Sequence, residues 1–139
     1  AVDGVDTVRG VPAYRAVLTV GGGIPFFRVH DVFASWMGVR TLHSLRFVQD
    51  QREGRRHRER RYEIFPERAT YREEIHGDGT EQPSVANPLD DVAFLYFVRT
   101  VPLEVGETYT FDRYFRPDRN PVTVRVLRRE TVAVPAGMF

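Results

Sequence analysis

The 139-residue sequence predicts a mainly β domain, an antiparallel sheet in meander order with one helix packed against it. Two observations carry that expectation. Apolar and polar residues alternate with period two in short segments along most of the chain, separated by clusters of Gly, Pro, Asn and Asp at hairpin spacing. One uncharged run, Val92-Ala93-Phe94-Leu95-Tyr96-Phe97-Val98, has the solid apolar character of a buried helix and is closed by Pro102. A chain of this length falls within the size of one domain and buries roughly two thirds of its unfolded surface around one core.

In chain order, residues 13–20 place Tyr14, Ala16, Leu18 and Val20 on one face, with Arg15 and Thr19 on the other. Gly21-Gly22-Gly23 is expected to break this strand. No Gly-Lys-Ser/Thr follows, so the glycines read as a strand connection and not as a phosphate loop. Residues 26–35 form a second strand, with Phe27, Val29 and Phe33 opposite Phe26, Arg28, His30 and Val32, and Trp36-Met37-Gly38 closes it. Residues 42–49 form a third, with Leu45 and Phe47 sharing a face, and residues 50–54 turn.

Residues 55–64 hold five arginines, a histidine and two glutamates, with apolar residues only at Tyr62 and Ile64. A strand that is wet on both faces over its first half reads as protection of a sheet edge. An arginine-rich binding patch at Arg55, Arg56 and Arg58 is the competing reading. Residues 69–75 alternate again, 76–80 turn, and 81–87 form a loop. Asn87 or Asp90 caps the helix, with Pro88 tolerated in the first turn and Asp90 and Asp91 favoured by the helix dipole. The helix runs to about Thr100. Having no polar stripe, it should be covered on most sides, in the concave face of a curved sheet. Residues 108–115 and 122–130 form a hairpin about a turn at 116–120, and 131–134 form a last strand before Pro135-Ala136-Gly137. The aromatic Phe139, just after that turn, should begin a further element.

All 20 basic residues are arginine, which reads as the codon bias of a GC-rich genome, because they are spread from Arg9 to Arg129 and balanced by 19 acidic residues. A net charge of +1 lacks the whole-domain field that holds a polyanion, so no nucleic-acid partner is expected. The absence of cysteine excludes disulfides, thiolate nucleophiles and Cys-containing zinc sites. No window approaches the 18 or more apolar residues of a spanning helix.

His30, His43, His57 and His76 show none of the close pairing of a helical zinc site, and neither a metal nor another cofactor is expected. Ser35 or Ser44 with His30 or His43 and Asp31 supplies the residue types of an acyl-transfer triad, but no nucleophile-elbow glycines surround either serine. Asp90 and Asp91 are explained as cap and dipole partners, and Arg99 as a cation at a helix end. No catalytic residue is assigned. Phe26, Phe27, Phe33, Trp36, Phe94, Tyr96 and Phe97 either line a groove for an acyl chain or a partner helix, or are simply core.

Four blocks follow one another in a recognisable order: FFRVHDVFASW with Asp31 and Ser35, TLHSLRF at Thr41–Phe47, DDVAFLYFVRTVPLEVGETY at Asp90–Tyr109, and VPAGMF at Val134–Phe139. Through them the chain resembles the bacterial domain-of-unknown-function family 3108 over most of its length, the block from Asp90 being the specific part. That resemblance implies a strongly curved antiparallel sheet or open barrel with a helix against it, and a periplasmic or exported location. It implies leading strands before Ala1 and a further strand after Phe139, and it implies no activity.

The functional expectation is a non-catalytic binding or scaffold protein of the cell envelope, an accessory subunit on the periplasmic face of a membrane protein complex. Its protein partner would meet the exposed guanidiniums of Arg55, Arg56 and Arg58. The alternative is a carrier or sensor of a lipid-like ligand held in the barrel mouth among Phe26, Phe27, Phe33, Trp36, Phe94 and Tyr96. A hydrolase, the weakest reading, would bring Ser44, His43 and an acid into hydrogen-bond reach.

Overall fold

The computed structural model describes residues 1–135, 137 and 138. Seven strands form one antiparallel sheet whose spatial order is the order of the chain: β1 (Val2–Val8), β2 (Val11–Ile24), β3 (Phe27–Gly38), β4 (Ser44–Glu53), β5 (Arg56–Phe65), β6 (Thr70–Glu73) and β7 (Gln82–Pro83). The sheet is curved and open, with β1 and β7 as unjoined edges. Helix α1 (Asp91–Val98) lies against β2 and β3. Two small hairpins follow, β8 (Thr108–Phe111) with β9 (Val122–Arg125), and β10 (Ala133–Val134) with β11 (Gly137–Met138). No helix among the described residues is long and apolar enough to cross a membrane. The expected element at Phe139 lies outside the described residues.

The meander is longer-stranded than the sequence patterns imply. β1 was not anticipated because only Val8 of its seven residues is buried, so it carries no alternating face. The three glycines do not end β2, which runs on to Ile24 with Gly21, Gly22 and Gly23 paired to His30, Val29 and Arg28. Glycine is required at Gly23, where φ is +154° and a Cβ would sit 2.5 Å from the Phe27 carbonyl oxygen. The turn is Pro25-Phe26. Phe26 takes φ +73°, a conformation in which glycine or asparagine is the usual occupant because a Cβ crowds the following carbonyl. Residues 50–53 likewise stay in β4, and the next turn is the two residues Gly54-Arg55.

A bulge changes which faces the β4 side chains occupy. Trp36 pairs with Arg46 and Met37 with Ser44, so Leu45 is the extra residue. Leu45 therefore joins Val8, Ala13 and Trp36 on the convex face, while Phe47 packs on the concave face, and the expectation that the two share a face is corrected. The charged strand β5 also differs from expectation in part. It lies inside the sheet order, between β4 and β6, but β6 covers only Tyr62–Phe65. Residues 56–60 consequently keep one free edge, and their charges protect it.

Strand coverage sets the outline of the sheet. At the row Ala16, Ser35, Phe47 and Tyr62, β1 and β6 extend it on either side to six strands, through Val2 and Glu73. One row further, at Leu18, Phe33, Gln49 and Arg60, only β2 to β5 remain. Beyond it these four strands project as an arm ending in the Pro25-Phe26 and Gly54-Arg55 turns.

The core lies on the concave face. Phe115, buried, makes an edge contact with Phe47 at 6.3 Å and with Tyr71 at 5.2 Å, and a tilted one with Tyr62 at 5.1 Å. Its backbone is held where Leu89 N donates to Arg113 O (2.7 Å) and Phe115 N to Leu89 O (2.9 Å). On the convex face Glu63 is buried and receives Arg9, Arg46 (2.5 Å) and Arg61 (3.2 Å). Arg15 and Arg46 stack on Trp36, and Arg9, Arg68 and Arg72 on Phe65.

Helix α1 is tied to the sheet by its N-cap. The Asp90 carboxylate accepts from Val92 N and Ala93 N, both at 2.9 Å, and from Ser35 Oγ at 2.6 Å, while Asp90 N donates to Ser44 Oγ at 2.8 Å. Burial raises the Asp90 pKa to about 6 against these bonds. Contrary to the expectation of cover on most sides, only Val92 and Ala93 are buried, and Leu95 is 48% exposed. The helix is covered by the sheet on one side and by Phe111 of β8, which meets Phe94 at 5.8 Å and Phe97 at 5.2 Å, on another.

Candidate functional site

The incompletely covered flank of α1 opens a cleft of about 540 Å³ between the helix and the concave face of the sheet. Its floor is built from the two rows of residues at the root of the arm: Leu18, Phe33, Gln49 and Arg60, then Gln51 and Arg58 one row further out. Period-two alternation puts these side chains on the face that carries Phe47 and Tyr62. Leu95 and Asp91 form the helix wall. The third side comes from residues 114–119, which hold Tyr114, Phe115, Arg116 and Arg119.

That third side is fixed by Asn120, whose Oδ1 accepts from Tyr114 N (2.9 Å) and whose Nδ2 donates to Tyr114 O (3.0 Å), closing the loop that contains Arg116 and Arg119. Tyr114 donates its hydroxyl to Asp91 (3.2 Å). Burial raises the Asp91 pKa and, together with the Asp91 charge, that of Tyr114.

Apolar and cationic side chains are interspersed around the cleft. Leu18, Phe33, Leu95 and Phe115 supply the apolar surface, while four guanidiniums, Arg58, Arg60, Arg116 and Arg119, face one carboxylate, Asp91. Arg60 is 3.5 Å from Glu73 and donates to Tyr62 Oη (3.3 Å), and Arg116 donates to Asp118 (3.1 Å). The Nε atoms of both are buried without a hydrogen-bond partner. A buried guanidinium N–H lacking an acceptor is costly, and an oxyanion is the acceptor that suits it. Among the described residues, neither Arg58 nor Arg119 has a carboxylate within ion-pair range.

The residues singled out from sequence fall in four places. Phe33 lies on the cleft floor. Phe94 and Tyr96 flank smaller hollows on other sides of α1. Trp36 is on the opposite face, where Nε1 donates to Asp6 (3.0 Å) between Arg15 and Arg46. Phe26 and Phe27 stand at the tip of the arm beside Arg55 and Arg56, and Arg58 bridges tip and cleft. Sequence reasoning missed Arg60, Arg116 and Arg119. The first was absorbed into a charged run, and the other two into a turn.

The serines both engage Asp90, and among the described residues no histidine ring hydrogen-bonds to either of them. His57 meets Asp50 at 2.8 Å, and burial together with Arg113 lowers the His43 pKa. No group of three or more metal-ligating side chains occurs among the described residues.

Comparison with known proteins yields one family. A family model described as a protein of unknown function, DUF3108, matches residues 2–139. No curated protein and no solved structure matches the chain.

Proposed function

The chain belongs to the DUF3108 family, and on that premise we propose that it is a cell-envelope binding domain that takes an anionic, lipid-like molecule in the cleft between sheet and helix. The observation that carries this reading is the pairing of apolar side chains with four guanidiniums, of which Arg58 and Arg119 have no carboxylate within ion-pair range among the described residues and Arg116 has a buried Nε without a hydrogen-bond partner, in a space of ligand size. An acyl chain fits against Leu18, Phe33, Leu95 and Phe115. A phosphate or carboxylate head group fits the fork of Arg116 and Arg119 with Arg58 and Arg60.

A scaffold role drew its support from arginines free to meet an acidic partner surface. Much of that support is spent within the chain, since Arg9, Arg15, Arg46, Arg61, Arg68 and Arg72 all pair with its own carboxylates. Within the cleft, Arg58 and Arg119 have no carboxylate in ion-pair range among the described residues.

The test is binding of dodecyl phosphate below its micelle-forming concentration, with dodecanol as the uncharged control. Dodecyl phosphate should bind saturably and stabilise the fold by about 2.7 kcal/mol at a hundredfold excess over Kd. Dodecanol should do so weakly, and Arg119→Gln should weaken dodecyl phosphate about tenfold while leaving the unliganded fold unchanged. Equal affinity for the two compounds, or an unaltered Kd in Arg119→Gln, would overturn the assignment.

A further inference from the structure

The tip of the arm is separate from the cleft, and folding does not explain its composition. Ile24, Pro25, Phe26 and Phe27 form one apolar turn, in which Ile24 is 70% exposed and Phe26 fully so. Phe26 covers nothing, and it sits in a left-handed conformation that favours glycine. A bulky side chain retained where the backbone disfavours it and the core does not need it points to a role outside the fold.

A basic collar surrounds this apolar point. The Gly54-Arg55 turn lies alongside, with Gly54 N donating to Arg28 O at 2.8 Å and the Phe27 ring 3.0 Å from where a Gly54 side chain would begin. Residues 24–30 and 52–57 together hold four arginines, Arg28, Arg52, Arg55 and Arg56, against the single acid Glu53. Arg52 reaches Asp50 at 3.3 Å, and the other three have no carboxylate within ion-pair range among the described residues. In a chain of net charge +1 this is a marked local segregation.

We propose that the paired hairpin tips dock on the surface of an anionic lipid bilayer, with Phe26, Ile24 and Phe27 entering the interface and Arg28, Arg55 and Arg56 meeting the phosphate head groups. Charge complementarity and shape both favour this occupant. A narrow apolar point with a cationic ring suits a layered surface that is charged outside and apolar within, whereas a protein partner requires a broader complementary face. From the tip, Arg56, Arg58 and Arg60 follow at every second residue along the concave face, about 7 Å apart, so a line of cations leads from the docked end to the cleft.

The experiment is co-sedimentation with vesicles of phosphatidylcholine alone and of phosphatidylcholine mixed with phosphatidylglycerol. The chain should bind the mixed vesicles in a salt-sensitive manner and the neutral ones weakly. Phe26→Gly should lower partition about tenfold or more with no fall in thermal midpoint, because glycine suits the turn. The double variant Arg55→Gln, Arg56→Gln should remove about tenfold of the preference for phosphatidylglycerol. Absence of vesicle binding, undiminished binding by Phe26→Gly, or capture of the tip by an acidic protein with none by vesicles would overturn the proposal. Arg119→Gln should leave vesicle binding intact, and Phe26→Gly should leave the dodecyl phosphate affinity intact, which separates this proposal from the cleft assignment.

Discussion

Replacing Asp90 by asparagine isolates the cost of burying its charge. The carboxylate is fully enclosed and has a pKa of about 6, against about 3.8 when exposed. Between those values the folded chain binds more protons at this site than the unfolded one, so the group's contribution to stability falls as pH rises through the window of about 4 to 6 and is level above it. A gap of about two units at about 1.4 kcal/mol each amounts to about 3 kcal/mol. Asparagine keeps an oxygen for Val92 N and Ala93 N and presents its amide to Ser35 Oγ, which can accept, so the geometry survives while the titration disappears. Urea unfolding of both proteins at pH 4 and pH 7, followed through the single tryptophan, should show the variant gaining about 2 kcal/mol relative to the native chain between the two pH values, since part of the effect is already present at pH 4. Parallel profiles would refute the argument. So would a native chain that gains on the variant as pH rises, since the three donated bonds would then outweigh burial.

Two further substitutions test the packing. Phe115→Ala, which removes the ring that joins Phe47, Tyr62 and Tyr71, should cost about 3–5 kcal/mol in chemical denaturation, and a loss under 1 kcal/mol would show that the concave core is not organised around it. Glu63→Gln leaves Arg9, Arg46 and Arg61 without their shared carboxylate and should cost about 2 kcal/mol, and no measurable loss would show that this cluster does not stabilise the convex face. Urea titrations at pH 7 give both values.

The meander, a helix cap at Asn87 or Asp90, the helix and the pairing of β8 with β9, though not the shortness of those two strands, were legible because each rests on local chemistry: alternation, a side-chain acceptor ahead of an apolar run, or turn residues between two alternating segments. What was illegible depended on pairing across the sheet. Glycines at 21–23 look like a break in isolation, yet they extend once β3 offers its backbone. The face of Leu45 turned on a bulge that no periodicity reveals. In β3, Phe33 and Trp36 are three residues apart, so period two alone separates them, and grouping them as one aromatic lining overlooked that rule. The cleft joins residues from Leu18 to Arg119 through strand register and loop closure, so its guanidiniums carried no signal as a set.

The change from six strands to four has a mechanical consequence. Where a ribbon narrows abruptly, bending concentrates at the step, and the step here is the row of Leu18, Phe33, Gln49 and Arg60. The broad part is braced by the helix and by Phe115, whereas the projecting part has solvent on its long margins. The domain thus resembles a spoon with a flexure line where handle meets bowl. A load on the far end tilts the very side chains that floor the hollow, and deuterium uptake along β2 should rise sharply from Leu18 outward.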